Sequence, residues 1–453
     1  LDAAVLTLSR DHLARRPAPT PLMWLDDAEG ALVHDPSTLA LFAVELDEQL
    51  ENLADGELAE ELREAGVHAS LPPLAEPEGA GVHTLLLGAS ASGRHRCASC
   101  SAREPGWVEQ AGTEAPARVE QLRATLDEAL ASRPDPLHVV VLERGPGVDA
   151  LLAELRARAS AVRRELALTL VVSPDAIAGS TDLPAGVREL VEAGAALQVH
   201  AEAIRWPAQL RAVEAALEKL RELRPRTLGV RVELRDYEGS AVVAAERLAA
   251  AGAELLAVEP RRTRPGVGPG GRPRLDPQAS ARELQGLVDL FVTRLLAGRP
   301  LLMPELVEGL RRILTRERKP LHCAAGAGAL ALGLDGHAYP CHVFARHPAT
   351  RLDELPRRSL PLWRRPVDRR EPCRSCEVRY LCGGGCRAAH LEHAGTIERP
   401  DPDECARIIA SFAALLRRVP ELDAAARRWL LAVDLDGVVG IEVPTRPAPS
   451  APG

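Results

Sequence analysis

Seven cysteines between Cys323 and Cys405 constrain this chain more than any other feature of it. Twelve residues separate Cys323 from Gly336-x4-Cys341. Cys373-x2-Cys376-x5-Cys382-x3-Cys386 follows, and Cys405 comes last. Disulfide frameworks belong to short secreted chains. This chain has 453 residues, and its opening segment mixes Asp2, Arg10, Asp11, Arg15 and Arg16 with apolar positions, which leaves no clean apolar stretch of a secretory signal. A cytoplasmic protein whose thiols meet metal is the expectation.

On spacing alone two metal readings stay open. Thiolates are soft and anionic, and they hold iron–sulfur cubanes. A C-x2-C or C-x3-C spacing lets one loop present two sulfurs. Gly383-Gly384-Gly385 lies between two of the cysteines, where positive φ lets backbone N–H groups approach sulfur. Structural zinc also uses C-x2-C. A four-cysteine zinc site would leave three thiols over, unless His337, His342 or His390 joined them.

The remaining sequence points to an α/β protein. Apolar runs at His83–Leu87, Leu137–Leu142, Leu166–Val172, Leu197–His200, Leu228–Leu234 and Leu255–Val258 read as strands. Helical periodicity lies between them, as in Leu210, Val213, Leu217 and Leu220. That alternation predicts a parallel sheet with right-handed crossovers, and six units predict an open, partial (β/α)6 barrel. In Leu228–Leu234, Arg231 and Glu233 face away from the apolar positions, which predicts a polar lumen. Leu22–Leu25 and Ala31–His34 flank a turn at Asp26–Gly30, a hairpin followed by two helical stretches ending near Gly66. Residues 261–277 read as a solvated connector, and Ser280 with Glu283 as a capping box. The expected organisation is a small N-terminal α+β unit over 1–80, the barrel over 81–300, a cysteine domain over 318–412 and a disordered Pro/Ala-rich tail over 444–453. A net charge of -8 gives no global basic field, and no run is long and apolar enough to span a bilayer, so neither nucleic acid nor membrane is an expected partner.

Cys323-Ala-Ala-Gly, Leu334-Asp-Gly-His-Ala-Tyr-Pro-Cys341-His and Tyr380-Leu-Cys-Gly-Gly-Gly-Cys386 together resemble the SPASM domain, a C-terminal extension of radical SAM enzymes that modify ribosomal peptides. The resemblance covers about ninety residues and includes all seven cysteines. It implies two auxiliary [4Fe–4S] clusters, the first on Cys323, Cys341 and Cys386 and the second on Cys373, Cys376, Cys382 and Cys405. Some relatives carry a further cysteine just after the first ligand. Here Ala324–Leu330 has none, which implies one open iron on the first cluster.

The radical SAM half of the pattern departs from the family. Its enzymes hold the reactive cluster with C-x3-C-x2-C after the first barrel strand. Here the register reads Gly93-Arg-His-Arg-Cys97-Ala-Ser-Cys100. Cys97 and Cys100 stand at the second and third ligand positions, and Gly93 has no side chain to ligate. The Gly-Gly-Glu-Pro-like segment of relatives is replaced by Glu143-Arg-Gly-Pro-Gly-Val148. A third cluster with S-adenosylmethionine then requires another ligand, such as His95. Cys97 and Cys100 are otherwise a remnant. The leading expectation is a cluster-binding protein that assists peptide modification, with a precursor peptide or an active maturase as partner. An active enzyme with a non-standard ligand and a zinc-stabilised interaction protein are the alternatives.

Overall fold

The computed structural model describes residues 5–8, 23–26, 31–36, 38–46, 74, 82–89, 123, 125–127, 129–131, 136–142, 146–178, 185–201, 208–234, 239–260, 263–267, 273–333, 337–352, 360–433 and 435. The helices expected up to Gly66, the loop with Gly93, His95, Cys97 and Cys100, and the tail 444–453 lie outside them.

Near the N-terminus, β1 (Val5–Leu8), β2 (Met23–Asp26), β3 (Ala31–Asp35) and β4 (Ala40–Leu46) form a sheet in the order β1-β4-β3-β2. The hairpin read from Leu22–His34 is β2–β3, with Asp26 opposite Ala31. Ala40–Leu46 adds a third strand to the hairpin, antiparallel to β3, and also pairs parallel to β1. Its alternating apolar residues serve a sheet face with no helical stripe.

The main sheet has eight strands. β5 (Thr84–Ala89), β6 (Leu137–Val141), β7 (Leu166–Val172), β8 (Ala196–Ala201), β9 (Leu228–Leu234) and β10 (Leu255–Pro260) are parallel and neighbour one another in chain order. β11 (Thr263–Val267) and β12 (Pro273–Leu275) pair as a separate hairpin inside the stretch read as a connector. β13 (Ala329–Gly333) and β14 (Ala338–Tyr339) come from the cysteine region and extend the main sheet beyond β5. β13 runs parallel to β5, with Thr84 opposite Ala329 and Leu87 opposite Leu332.

The helices of eight residues or more are α1 (Pro146–Ala161), α2 (Ala185–Glu192), α3 (Ala208–Arg221), α4 (Ala241–Ala250), α5 (Pro277–Leu296), α6 (Pro304–Thr315), α7 (Arg387–Ala394), α8 (Pro402–Arg418) and α9 (Ala424–Ala432) among the described residues. Leu210, Val213, Leu217 and Leu220 of α3 are fully buried in the main core, as are Leu228, Val230, Val232 and Leu234 of β9. No helix of the described residues is long and apolar enough to cross a membrane. The start of α5 corrects the capping-box reading. Asp276 caps it by accepting from Ala279 N at 3.0 Å, with Pro277 in the first turn. Ser280 is buried within the helix, and the Glu283 carboxylate instead accepts from Ala241 N at 2.7 Å.

The second face of the sheet is divided. Leu86 and Val140 belong to an apolar cluster with Tyr339, Phe344 and Trp363, the last two ring centroids 4.9 Å apart and nearly perpendicular. Toward β10 the same face carries Gln198, Arg231, Glu233 and Glu259, and the Arg231 guanidinium pairs with the Glu259 carboxylate. The expected polar lining is thus densest over β8–β10, with Thr84, His138 and Thr169 interspersed on the same face of β5–β7.

Behind the sheet the cysteine region is held by its own backbone. Lys319 N donates to Tyr380 O at 2.8 Å and Val367 N to Pro320 O at 2.9 Å. Gly383 ends the helical turn Arg379–Cys382 with φ 73°. A Cβ there would stand 2.5 Å from the Leu321 carbonyl carbon and 2.6 Å from His322 N. Gly395 ends α7 at φ 70° with nothing within 4 Å of its Cβ position. Gly395→Ala is expected to cost roughly 1–2 kcal/mol from backbone conformation alone. Gly383→Ala should cost clearly more, since backbone must also move. Denaturant unfolding of the two variants checks the order.

Candidate metal centre

Cys323 and Cys341 flank the β13–β14 hairpin, so the strand pairing to β5 sets where both thiols lie. Cys341 caps the 3-10 turn His342–Arg346, and its Sγ accepts from Val343 N at 3.4 Å. Cys386 stands at the N-terminal cap of α7. Burial pushes the Cys341 thiol well above its usual pKa; Cys323 raises it further, and Cys386 adds to the effect. These three sulfurs therefore lie within electrostatic reach of a common point, Cys341. Cys341 and Cys386 also pack on the same apolar cluster as Leu86 and Phe344.

The other four form a second set. Cys373 begins a 3-10 turn, Cys376 follows it, Cys382 precedes the glycine triplet and Cys405 lies in the first turns of α8. Burial raises Cys376 to about 11, and Cys382 and Cys373 contribute. Burial raises Cys405 to about 12, and Cys382, Cys373 and Cys376 contribute. Cys373, Cys376 and Cys382 all pack on the main core, apart from the cluster that receives Cys341 and Cys386. Burial also raises Cys382, opposed by Lys319 and by N–H groups of Gly384 and Gly385 that point at its sulfur. Those N–H groups are available because Gly384 and Gly385 adopt φ of 95° and 72°.

The surroundings are rich in polar and charged side chains. A cavity of 290 Å³ adjoins Cys382 and Cys386, with Lys319, His322, Glu404 and Arg407 in its wall. His322 Nδ1 lies 3.0 Å from Cys382 O. Burial lowers His342 and His390 to about 4, so both imidazoles are neutral at ordinary pH. His390 is engaged through Nδ1, 3.2 Å from Ile397 O and 3.3 Å from Arg370 Nη2. The Ala324–Gly328 turn packs tightly. A Cβ at Gly326 would meet the Trp363 ring at 2.9 Å, and one at Gly328 would meet His83 Nε2 at 2.5 Å. His83 thus lies beside the turn that follows Cys323, a placement the sequence reading missed. Cys97 and Cys100 lie outside the described residues.

The donor set fits a thiolate-bound metal centre. The seven thiols form no disulfide with one another, and the backbone N–H groups aimed at sulfur suit anions better than thiols. Among the described residues no three His, Cys, Asp or Glu side chains form a group that would hold a single ion.

No family model matches the sequence. A stretch of 152 residues is 28% identical to an uncharacterized protein of Archaeoglobus fulgidus, covering 30% of this chain and 36% of that protein. The chain thus spans about a third of the length of the curated relative it matches. Among solved structures, native anSMEcpe with bound AdoMet and the Cp18Cys peptide is similar at a TM-score of 0.52 and 14% identity, over 75% of this chain and 98% of that one. The same protein with bound AdoMet gives 0.52 at 13% identity over the same shares, and with bound AdoMet and the Kp18Cys peptide 0.50 at 14% identity. At such identities the shared property is the fold, a mixed α/β structure with a large parallel sheet.

Proposed function

We propose that this chain is an iron–sulfur protein of the radical SAM/SPASM group that binds a precursor peptide or an active maturase and assists peptide modification without cleaving S-adenosylmethionine itself. The observation that carries the cluster assignment is the grouping of the thiols. Cys323 and Cys386 act on Cys341, while Cys373, Cys376 and Cys382 act on Cys405. Each set would hold one [4Fe–4S] cluster, which supplies one-electron chemistry when bound. Cys323, Cys341 and Cys386 leave one position of the first cluster to another ligand. A substrate thiolate is one candidate, and the neutral His342, its Nδ1 3.6 Å from Cys341 Sγ, is another. The peptide partner is supported by the anSMEcpe structures, which hold peptides on a similar fold.

The non-cleaving role rests on Gly93, which cannot ligate iron, beside Cys97 and Cys100. The opposing reading is an active enzyme with a substitute ligand such as His95. It is favoured by the bound AdoMet of anSMEcpe, a structure of the same fold.

Anaerobic purification followed by iron and sulfide assay tests the cluster assignment. About eight irons per chain are expected, and about four in Cys373→Ser, which should keep the first set. A colourless protein rich in zinc would overturn it. Incubating the reconstituted protein with S-adenosylmethionine and dithionite separates the two roles. No 5′-deoxyadenosine is expected. Turnover together with about twelve irons, both lost in a Cys97→Ala/Cys100→Ala variant, would establish the active enzyme instead.

A further inference from the structure

Two arginines are buried beside the thiol sets. Arg370 is 3% exposed and Arg387 5%. Their hydrogen bonds go to neutral acceptors. Arg370 Nη1 donates to Gly384 O at 3.4 Å, and Nη2 donates to Ile397 O at 3.3 Å and lies 3.3 Å from His390 Nδ1. Arg387 donates to Leu362 O and to Arg365 O, and its guanidinium lies 5.7 Å from the Trp363 ring centroid. A buried cation with neutral partners is costly unless an anion stands near it. The nearest carboxylate within reach of Arg387 is Glu398, which pairs with Arg365 at 2.7 Å on an exposed surface. The remaining groups within reach that carry negative charge once bound to metal as thiolates are sulfurs. Cys323 of one set and Cys373 of the other both act on Arg387, and Arg370 acts on Cys373.

The backbone makes room for this arrangement. Gly384, between Cys382 and Cys386, has φ 95°, and a Cβ there would stand 2.6 Å from Arg370 Nη1. The same glycine that turns the chain from one set to the other therefore admits the guanidinium.

We propose that Arg370 and Arg387 form a cationic bridge between the two thiolate sets, supplying countercharge to both and raising the reduction potential of the centres they hold. The inference rests on the cluster assignment above. One-electron reduction of a centre adds a negative charge, and a fixed cation in a low-dielectric site favours that reduced form. Arg387 reaches both sets and Arg370 the Cys373 set, so their removal has distinguishable effects.

The test is a dithionite redox titration of the full chain, purified anaerobically and assayed first for iron and sulfide, with EPR as readout. Arg387→Gln is expected to lower both midpoints by at least tenfold in the reduction equilibrium, 59 mV for a one-electron couple. Arg370→Gln should lower chiefly the midpoint that Cys373→Ser abolishes. Arg387→Lys and Arg370→Lys, which keep the charge, should stay near wild type. Unmoved midpoints in fully loaded Gln variants overturn the inference and leave the cluster assignment standing. Should the Gln variants assemble no centres, loading decides: full iron in the Lys variants supports a charge requirement, and equal loss in both overturns it as mere packing. Wild-type protein without iron or sulfide overturns the cluster assignment and this inference with it.

Discussion

Parallel pairing between β5 and β13 joins segments far apart in the chain, and the thiols take their positions from it. The ladder begins with His83 N donating to Gly328 O at 2.9 Å and runs to the register of Gly333 with Ala89. Buried backbone donors and acceptors have to be paired, so the alignment is specified from Ala329 to Leu332, before a bulge skips Gly88. It brings Ala329 and Ala331 into the apolar cluster of Leu86 and Val140, and Phe344 and Trp363 close over them. One set of thiols is thereby seated on the sheet's second face. The other packs on the main core. A single backbone pairing separates two groups of sulfur that a short, glycine-rich segment would otherwise allow to mingle.

Charge is handled differently around the cysteines than elsewhere. Arg231 pairs with Glu259 across adjacent strands. Arg311 pairs with Glu308 and ties down the end of α9 through Leu430 O and Val433 O. Arg164 donates to Ala129 O and Leu130 O, carbonyls in the helical segment that precedes β6. Each of these cations has an ion-pair partner or an anchoring role in the backbone. Arg370 and Arg387 also anchor carbonyls, and they differ in that sulfurs of the thiol sets act on them, with Glu398 as well for Arg387. Burial keeps His342 and His390 neutral in the same region, so Lys319 and the two guanidinium groups supply positive charge that acts on the sulfurs.

Much of the barrel was readable because its signal is local. β7 and β9 match the apolar runs residue for residue, and the four others differ only at their ends. β4 was not singled out, because seven residues of mixed alternation carry little periodicity of either kind. The β11–β12 hairpin hid in a Pro/Gly/Arg-rich stretch that normally signals a loop. The start of α5 was placed too late because Ser280 and Glu283 satisfy a capping pattern by chance, whereas Asp276 followed by Pro277 is the stronger pair. At the site, the cysteines announce themselves by spacing, but their division into sets comes from resemblance and tertiary packing. No local property of Arg370 or Arg387 marks them as buried, since that depends on Gly384 and Trp363 arriving from elsewhere.

The place of β5 within the sheet also bears on how the chain is made. During synthesis, β6 can cover one side of β5 early, but the other side waits for residues near 330 to leave the ribosome. Until then β5 offers an open row of hydrogen-bonding groups flanked by Leu85, Leu86 and Leu87, a surface prone to pair with other chains. A nascent chain truncated before β13 would be sticky rather than merely incomplete. The cysteine region thus has a second duty, as the cap that makes the finished sheet safe.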